Sequence, residues 1–413
     1  MGFILEFIYL TLVIACLTYF IVIHIYSSNN GWQILDLKDE NLPFVSIIVP
    51  TLEEEGNIGK CLESLTHLNY NNKEIIVVDG GSKDKTVEIA RKFGVKVIVD
   101  ENLPDGWIGK SYGCNIGYQA AKGDILLFTD ADSYHQADSL RIAVGHTLGV
   151  DAKLFSIFPY QKAERWYEHL IGFMYFLSYI AGGPRNDINN PYNKDSFIAS
   201  GQYMMFTREG YNEIGGHMAV STSLVEDVAL AKLCKEKELK LNFIDGTKLV
   251  TTRMYPDKFV DFFRGFRRMI WGGLNTLTPW RILFVIFWLI YVILAPLFLI
   301  RSIVNTPNWM WWDYPVGIII NAFAYFAWGF SYYLYWRKRG KGNFLVYIFW
   351  PIPMLMNIIV VLVAVYYGLA GKRISWRTKH YSSDKQKLIK GKPSKELKEV
   401  DTLKKKQTSK QKT

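Results

Sequence analysis

The 413 residues are half hydrophobic and 15% aromatic, an apolar excess over an ordinary soluble enzyme that gathers in residues 3–26 and 282–371. Cys16, Cys61, Cys114 and Cys234 have neither metal-ligand nor redox spacing, which leaves no disulfide framework or zinc site and suits a reducing cytosol. Much of the formal net charge of +10 lies after Gly371; with no RNA- or DNA-binding motif beside it, this run reads as facing anionic lipid rather than nucleic acid.

In chain order, Phe3–Tyr26 is long enough for a membrane anchor at about 20 residues per span. It lacks the basic start and small-residue cleavage site of a signal peptide, and Glu6 stands where myristoylation needs Ser or Thr. The anchor is assigned to residues 1–27. Residues 44–250 then alternate strand and helix: strands at 45–49, 74–78, 95–99 and 124–129, helices at 57–66, 85–93 and 110–121. This rhythm predicts an α/β domain with a mostly parallel sheet covered by helices on both faces. The aromatic stretch 166–180, with Phe173, Tyr175, Phe176 and Tyr179, is too short to span and reads as a core or interfacial helix, or as the lining of an apolar acceptor's path. Residues 251–281 form an amphipathic interfacial segment around a basic helix at 259–271.

Three apolar stretches follow, at 282–304, 315–336 and 344–370, with Trp309, Trp311 and Trp312 at the level of an interfacial belt. Arg337, Lys338, Arg339 and Lys341 place the short loop they occupy on the cytoplasmic side. Three full spans would then export the basic tail, residues 372–413, against the positive-inside rule. Pro351 and Pro353 offer a way out, a re-entrant segment or broken hairpin, and the re-entrant form is preferred here over export of the tail. The tail itself reads as disordered.

Ligands of such sheets bind beyond the carboxyl ends of the strands. Three strands run there into polar clusters: Pro50-Thr51-Leu52-Glu53-Glu54, Asp79-Gly80-Gly81-Ser82 and Asp130-Ala131-Asp132. Ser82 and Asp84 suit helix caps, but several converging carboxylates call for a cation or polar ligand. Asp130 and Asp132 are two apart, and in an extended segment both would face one side. Their hard oxygens suit Mg²⁺ or Mn²⁺.

The segments Pro50–Ile58, Val77–Thr86 and Phe128–Asp132 resemble family 2 glycosyltransferases of the GT-A fold. Gly106-Trp107-Ile108-Gly109-Lys110, Phe158-Pro159-Tyr160, Gly201-Gln202, Gly215-Gly216-His217, Glu226-Asp227 and Arg253-Met254-Tyr255 narrow the resemblance to membrane enzymes acting on carotenoid acids such as 4,4'-diaponeurosporenoate, and to hopanoid-associated relatives. The resemblance implies that Pro50, Glu54 and Asp79 contact the base and ribose of a nucleotide-sugar, a UDP-sugar. It puts Lys110, Arg267 and Arg268 with the donor and its diphosphate, and Asp130 and Asp132 on the metal. Asp227 becomes the general base of an inverting transfer of a hexose, glucose, to a lipid acceptor. Glu53, where the family often has Asn, and Gly80, where a second Asp is frequent, depart from the pattern.

Three competing assignments remain at this level. Asp227 also fits a first-turn helix residue favoured by the dipole, and His217, after two glycines, fits a sugar contact or a turn equally well. Arg264, Arg267 and Arg268 suit either the diphosphate, with Arg264 the weakest choice, or a membrane-surface helix. A processive polysaccharide synthase, a polyprenyl-phosphate or glycerolipid glycosyltransferase, and a scaffold with a decayed site are the alternatives to a carotenoid enzyme. The expected location is the cell membrane, multi-pass, with the catalytic domain in the cytoplasm.

Overall fold

A computed structural model of the chain describes Tyr9, Thr11, Ile14 and residues 42–256, 258–304, 313–340, 347–370, 374–376 and 379–381. The remainder of the 1–27 anchor, Trp309, Trp311 and Trp312, and nearly all of the 372–413 tail lie outside the described residues. The elements are β1 (Val45–Thr51), α1 (Ile58–Thr66), β2 (Lys73–Asp79), α2 (Thr86–Arg91), β3 (Lys96–Val99), α3 (Gly109–Ala120), β4 (Ile125–Phe128), β5 (Ser133–His135), α4 (Ser139–Gly149), β6 (Leu154–Phe158) and β7 (Tyr160–Gln161). There follow a 3₁₀ turn (Trp166–Leu170), α5 (Ile171–Gly182), α6 (Arg185–Asn189), β8 (Met204–Thr207), α7 (Arg208–Glu213), α8 (Gly216–Ala219), α9 (Glu226–Glu236), β9 (Leu241–Asp245) and β10 (Val250–Thr252). Last come α10 (Phe259–Leu274), α11 (Pro279–Val304), α12 (Asp313–Trp336), α13 (Pro351–Leu369) and the hairpin β11 (Ile374–Trp376) and β12 (Lys379–Tyr381).

The main sheet has seven strands in the order β3-β2-β1-β4-β8-β6-β9. The four strands expected from the alternating pattern are its first four, all parallel. β8 runs antiparallel to both β4 and β6, and β9 pairs parallel with β6, so the sheet is mixed. β1 and β4 are apolar on both faces save Ser46 and Thr51, as a central strand covered by two helix layers must be. α3 lies close on this centre because Gly113 and Gly117 leave room for it: a Cβ on Gly113 would meet Pro50 at 3.3 Å, and one on Gly117 would press into Ile48. That approach carries Lys110, at the start of α3, to the carboxyl ends of β1 and β4.

β10 pairs with β5 and β7 in a small second sheet at the same end. The stretch read as one aromatic helix is a 3₁₀ turn followed by α5, with Tyr167 and Phe173 buried and Trp166 exposed and stacked on Phe259 of α10. α5 is the bridge to the C-terminal helices. Gly172 lets it touch α12 so closely that a Cβ there would lie 2.6 Å from Trp336, and Tyr335 Oη donates to the carbonyl of Tyr175 at 3.2 Å.

α11 and α12 are 26 and 24 residues long and α13 is 19. Leu283, Ile286, Ile290, Leu297 and Ile300 of α11, Ile319, Phe323 and Phe330 of α12, and Leu355, Ile359 and Leu362 of α13 are exposed. Counted over the described residues alone, no helix is long and apolar enough to cross a membrane. Pro351 and Pro353 fall in the first turn of α13, where a missing N–H costs nothing, so they begin a helix and do not break one. Gly340, at the end of α12's exit turn, and Tyr367, near the end of α13, both touch earlier parts of the chain. At one end Gly340 bridges to Gln161, whose N–H donates to the Arg339 carbonyl at 2.7 Å, and Arg339 pairs with Asp245 at 3.1 Å. At the other, Tyr367 lies under the guanidinium of Arg267, 4.0 Å from ring centre to Cζ. Between them, Trp350 Nε1 donates to the Tyr325 carbonyl at 3.0 Å, part-way along α12.

Candidate active site

The loops after β1 and β2 are laced together by their own acids. Glu53 Oε1 accepts the Lys83 N–H at 2.7 Å and Glu55 Oε2 that of Lys85 at 3.1 Å; in return Ser82 Oγ and Asp84 Oδ2 accept the N–H groups of Glu53 and Glu55. Asp79 is fully buried, and its carboxylate takes the N–H of Gly81 and of Ser82, the Ser82 hydroxyl at 2.5 Å and the Thr51 hydroxyl at 3.1 Å. Mutual repulsion in these two clusters is thus met by backbone and hydroxyl donors. Asp79 shapes the loop from beneath. Glu54 accepts from Asn57 Nδ2 at 2.9 Å, and Pro50 packs on Gly113. Glu53 has φ +56°, a left-handed conformation in which Asn is commoner. Its double capping with Ser82 and Lys83 holds it there.

The third cluster is different. Ser133 N–H donates to the Asp130 carbonyl at 3.2 Å, so residues 130–133 form a turn; the extended geometry expected for Asp130 and Asp132 does not hold. Lys110 Nζ sits 2.7 Å from Asp130 Oδ1 and 2.8 Å from Glu226 Oε1. Burial works against this ammonium, but Asp130, Glu226 and Asp227 together hold its pKa well above the usual value. Burial raises the Asp130 carboxyl against the pull of Lys110, with Arg268 also close enough to lower it. Burial likewise acts to raise Glu226, but Lys110 and its backbone donors hold it below the ordinary carboxylate range.

Asp227 follows directly, at the start of α9. Its Oδ2 accepts the Gly201 N–H and its Oδ1 that of Val228, each at 2.8 Å. Burial, then the charge of Glu226, push it up to about 6. Behind it Tyr175 Oη donates to Gln202 Oε1 at 3.3 Å, Gln161 Nε2 to the same oxygen at 3.0 Å, and Thr252 Oγ1 to Gln161 Oε1 at 3.0 Å. Burial first, then Asp227 and Asp132, raise the Tyr175 phenol, which puts α5 beside both acids. Glu226 and Gly201 stood in the sequence only as parts of motifs, with no role of their own; the signal for Glu226 was a second acid next to the expected base.

The basic helix α10 divides its arginines. Arg268 acts on Asp130, Arg267 stacks on Tyr367, and Arg264 is 57% exposed with only Asp261 at 4.0 Å. His217 is fully buried, bonded through Nδ1 to Tyr211 Oη at 2.8 Å and packed on Phe128, and burial lowers it to about 3. It is a neutral core residue.

Among the described residues no cluster of three or more His, Cys, Asp or Glu forms a metal cage. Mg²⁺ and Mn²⁺ do not need one, since one or two carboxylates and substrate phosphates supply their oxygens. Asp130 fits that donor set: it already draws a cation, the Lys110 ammonium, to one oxygen. Asp132 stands two residues on, in the same turn.

Residues 46–215 match the family described as Glycosyl transferase family 2. The chain is 28% identical over 259 residues to 4,4'-diaponeurosporenoate glycosyltransferase of Staphylococcus haemolyticus, covering 61% of this chain and 68% of that protein. The Staphylococcus aureus (strain N315) protein of the same name is 26% identical over 260 residues, with the same coverage. Among solved structures, the mannosyltransferase PcManGT from Pyrobaculum calidifontis, in complex with GDP-Man and Mn²⁺, superposes with a TM-score of 0.50 over 87% of this chain and 98% of that one, at 15% identity. That likeness is one of fold.

Proposed function

We propose that the chain, whose residues 46–215 match Glycosyl transferase family 2, is a glycosyltransferase of the GT-A fold that transfers one hexose, with inversion, from a nucleotide-sugar to a membrane lipid. The observation that carries this reading is the place of Asp227. It lies next to the Lys110–Asp130–Glu226 cluster on one side and beside Tyr175 of α5 on the other. α5 in turn packs on α12, whose outer face is apolar. Donor chemistry and an apolar surface meet at one carboxylate.

In this reading the nucleoside lies on the β1 and β2 loops, against Pro50 and Glu54, with Asp79 holding the turn. Lys110 and Arg268 face the diphosphate. A divalent ion on Asp130 and Asp132, when bound, neutralises charge that develops on the leaving diphosphate. The new bond to the anomeric carbon forms as the bond to the diphosphate breaks; Asp227 accepts the proton when the attacking group is a hydroxyl, whereas a carboxylate acceptor attacks already ionised. The backbone N–H groups of Gly201 and Val228 fix the carboxylate's orientation. A relative that acts on diaponeurosporenoate supports a carotenoid carboxylic acid as acceptor, and a donor such as UDP-glucose suits it.

The outward apolar side chains of α11, α12 and α13 support seating these helices in the bilayer, with α10 at its surface. Gly340 bridges to Gln161 and Tyr367 lies under Arg267 of α10, which supports a re-entrant 344–370 segment. Mass spectrometry of lipid extracts from cells with and without the gene tests the whole reading. A hexose increment on an apolar lipid, lost on deletion, is expected; unchanged lipids together with a missing polysaccharide would overturn it.

A further inference from the structure

Lys110 holds a position that a bound cation also needs. Its ammonium makes two short contacts, 2.7 Å to Asp130 and 2.8 Å to Glu226, in the range of charge-assisted bonds. Gly201 walls it in: a Cβ there would lie 2.6 Å from Nζ. The root of the side chain is fixed by the close seating of α3 on β1, whereas its tip has four rotatable bonds. A Mg²⁺ or Mn²⁺ ion on Asp130 would sit about 2.1 Å from a carboxylate oxygen. Sharing that oxygen with the ammonium as it now stands would bring the two cations within about 5 Å of each other, where their repulsion is strong in a part-buried site. One must give way.

We propose that Lys110 is a tethered counter-ion that competes with the divalent cation for Asp130, and that Glu226 is the anchor to which it withdraws when metal and diphosphate arrive together. Glu226 suits that task because it is buried, with only 8% of its side chain exposed, and offers the ammonium a partner at no cost of rehydration. The consequence is ordered loading. Metal alone binds weakly, and metal with a nucleoside diphosphate binds well, since the diphosphate brings the negative charge that offsets both cations. The inference rests on the assignment of Asp130 and Asp132 as metal ligands.

Mn²⁺ binding to the full-length protein in nanodiscs, read from the free-ion electron paramagnetic resonance signal, tests it without turnover. Lys110→Met is expected to bind Mn²⁺ without nucleotide on the order of tenfold more tightly than the wild type, the scale of effects from groups that bear on metal ligands. Glu226→Gln, which leaves Lys110 to Asp130 alone, is expected to bind it more weakly. With UDP present, the advantage of Lys110→Met is expected to vanish. Unchanged or weaker Mn²⁺ binding by Lys110→Met overturns the competition, and so does an equal gain in Arg268→Gln, which would reduce the effect to the general field. If no protein binds Mn²⁺ with or without UDP, the assignment of the metal ligands falls as well.

Discussion

Asp227 and Gly201 are joined by a single hydrogen bond of 2.8 Å from the backbone N–H to Oδ2. It ties a turn residue just before β8 to the acid of a helix 26 positions away and leaves the carboxylate aimed by main chain instead of by a titrating partner. The orientation therefore survives changes of pH that alter the charge.

Burial and Glu226 push Asp227 up to about 6, close to the working range of a general base. With a hydroxyl acceptor, kcat/KM is expected to fall below pH about 6, approaching tenfold per pH unit, and Asp227→Asn is expected to abolish transfer. A carboxylate acceptor is ionised at neutral pH and needs no base, so the same variant is expected to retain activity with it. Rates measured with both acceptor types decide this; equal loss with both would refute the role.

The same shift has a sign for stability. A folded value of about 6 against an ordinary 3.8 means that the fold favours the protonated form. The resulting stabilisation is present in full below pH 3.8 and is lost as pH rises through 6. Asp227→Asn, which resembles the protonated form, is expected to raise Tm at pH 8 and leave it unchanged at pH 4. Thermal melts at the two pH values, monitored in nanodiscs, give the comparison.

The parallel half of the sheet was legible because β1, β2 and β4 are short apolar runs ending in polar turns. β8 was not: Met204–Thr207 lacks alternation and has Thr207 as its one β-branched residue, and its antiparallel place between β4 and β6 is set by tertiary pairing. At the site, Asp130 and Asp227 were readable from their motifs. The fate of Asp79, and of Glu53 and Glu55, was hidden, because a carboxylate capping a loop's N–H looks like a ligand-binding one until the loops are side by side. The Lys110–Glu226 pair joins α3 to α9 across 116 positions, 226 − 110, and no local pattern announces it.

Gly201→Ala probes the crowding around Lys110. The added methyl would stand 2.6 Å from Nζ, 3.2 Å from Glu226 Oε1 and 3.3 Å from Asp227 Oδ2, so the ammonium must move away from its acids. A loss of about tenfold or more in kcat/KM is expected, since misplacement by 1 Å costs about 100-fold in some sites. Folding should be little affected, because the displaced atom ends a flexible chain. Steady-state kinetics beside a circular dichroism melt check both halves.

The arginines of α10 are expected to separate by assay. Arg268→Gln should raise KM for the nucleotide-sugar about tenfold, a charge-assisted contact being worth roughly 1.5–3 kcal/mol. Arg267→Gln should leave that KM alone and lower Tm, because its stacking on Tyr367 is worth about 0.5–2 kcal/mol. Arg264→Gln, exposed, should change neither by more than about 0.5 kcal/mol.

The path of the 341–370 stretch can be read by labelling. Gly340 bridges to Gln161, and Tyr367 lies under Arg267, so a segment that leaves the catalytic half at one end rejoins it at the other. Cys61, Cys114 and Cys234 are buried, which allows single exposed cysteines to be introduced once Cys16 is replaced. Asp151→Cys marks the catalytic side, its side chain being 86% exposed, and Val304→Cys, 68% exposed, marks the far end of α11. In sealed vesicles treated with a membrane-impermeant maleimide, Ala370→Cys is expected to label together with Asp151→Cys and in the opposite orientation to Val304→Cys. Labelling of Ala370→Cys together with Val304→Cys would mean that the stretch crosses, and that the basic residues after it are exported against the positive-inside rule.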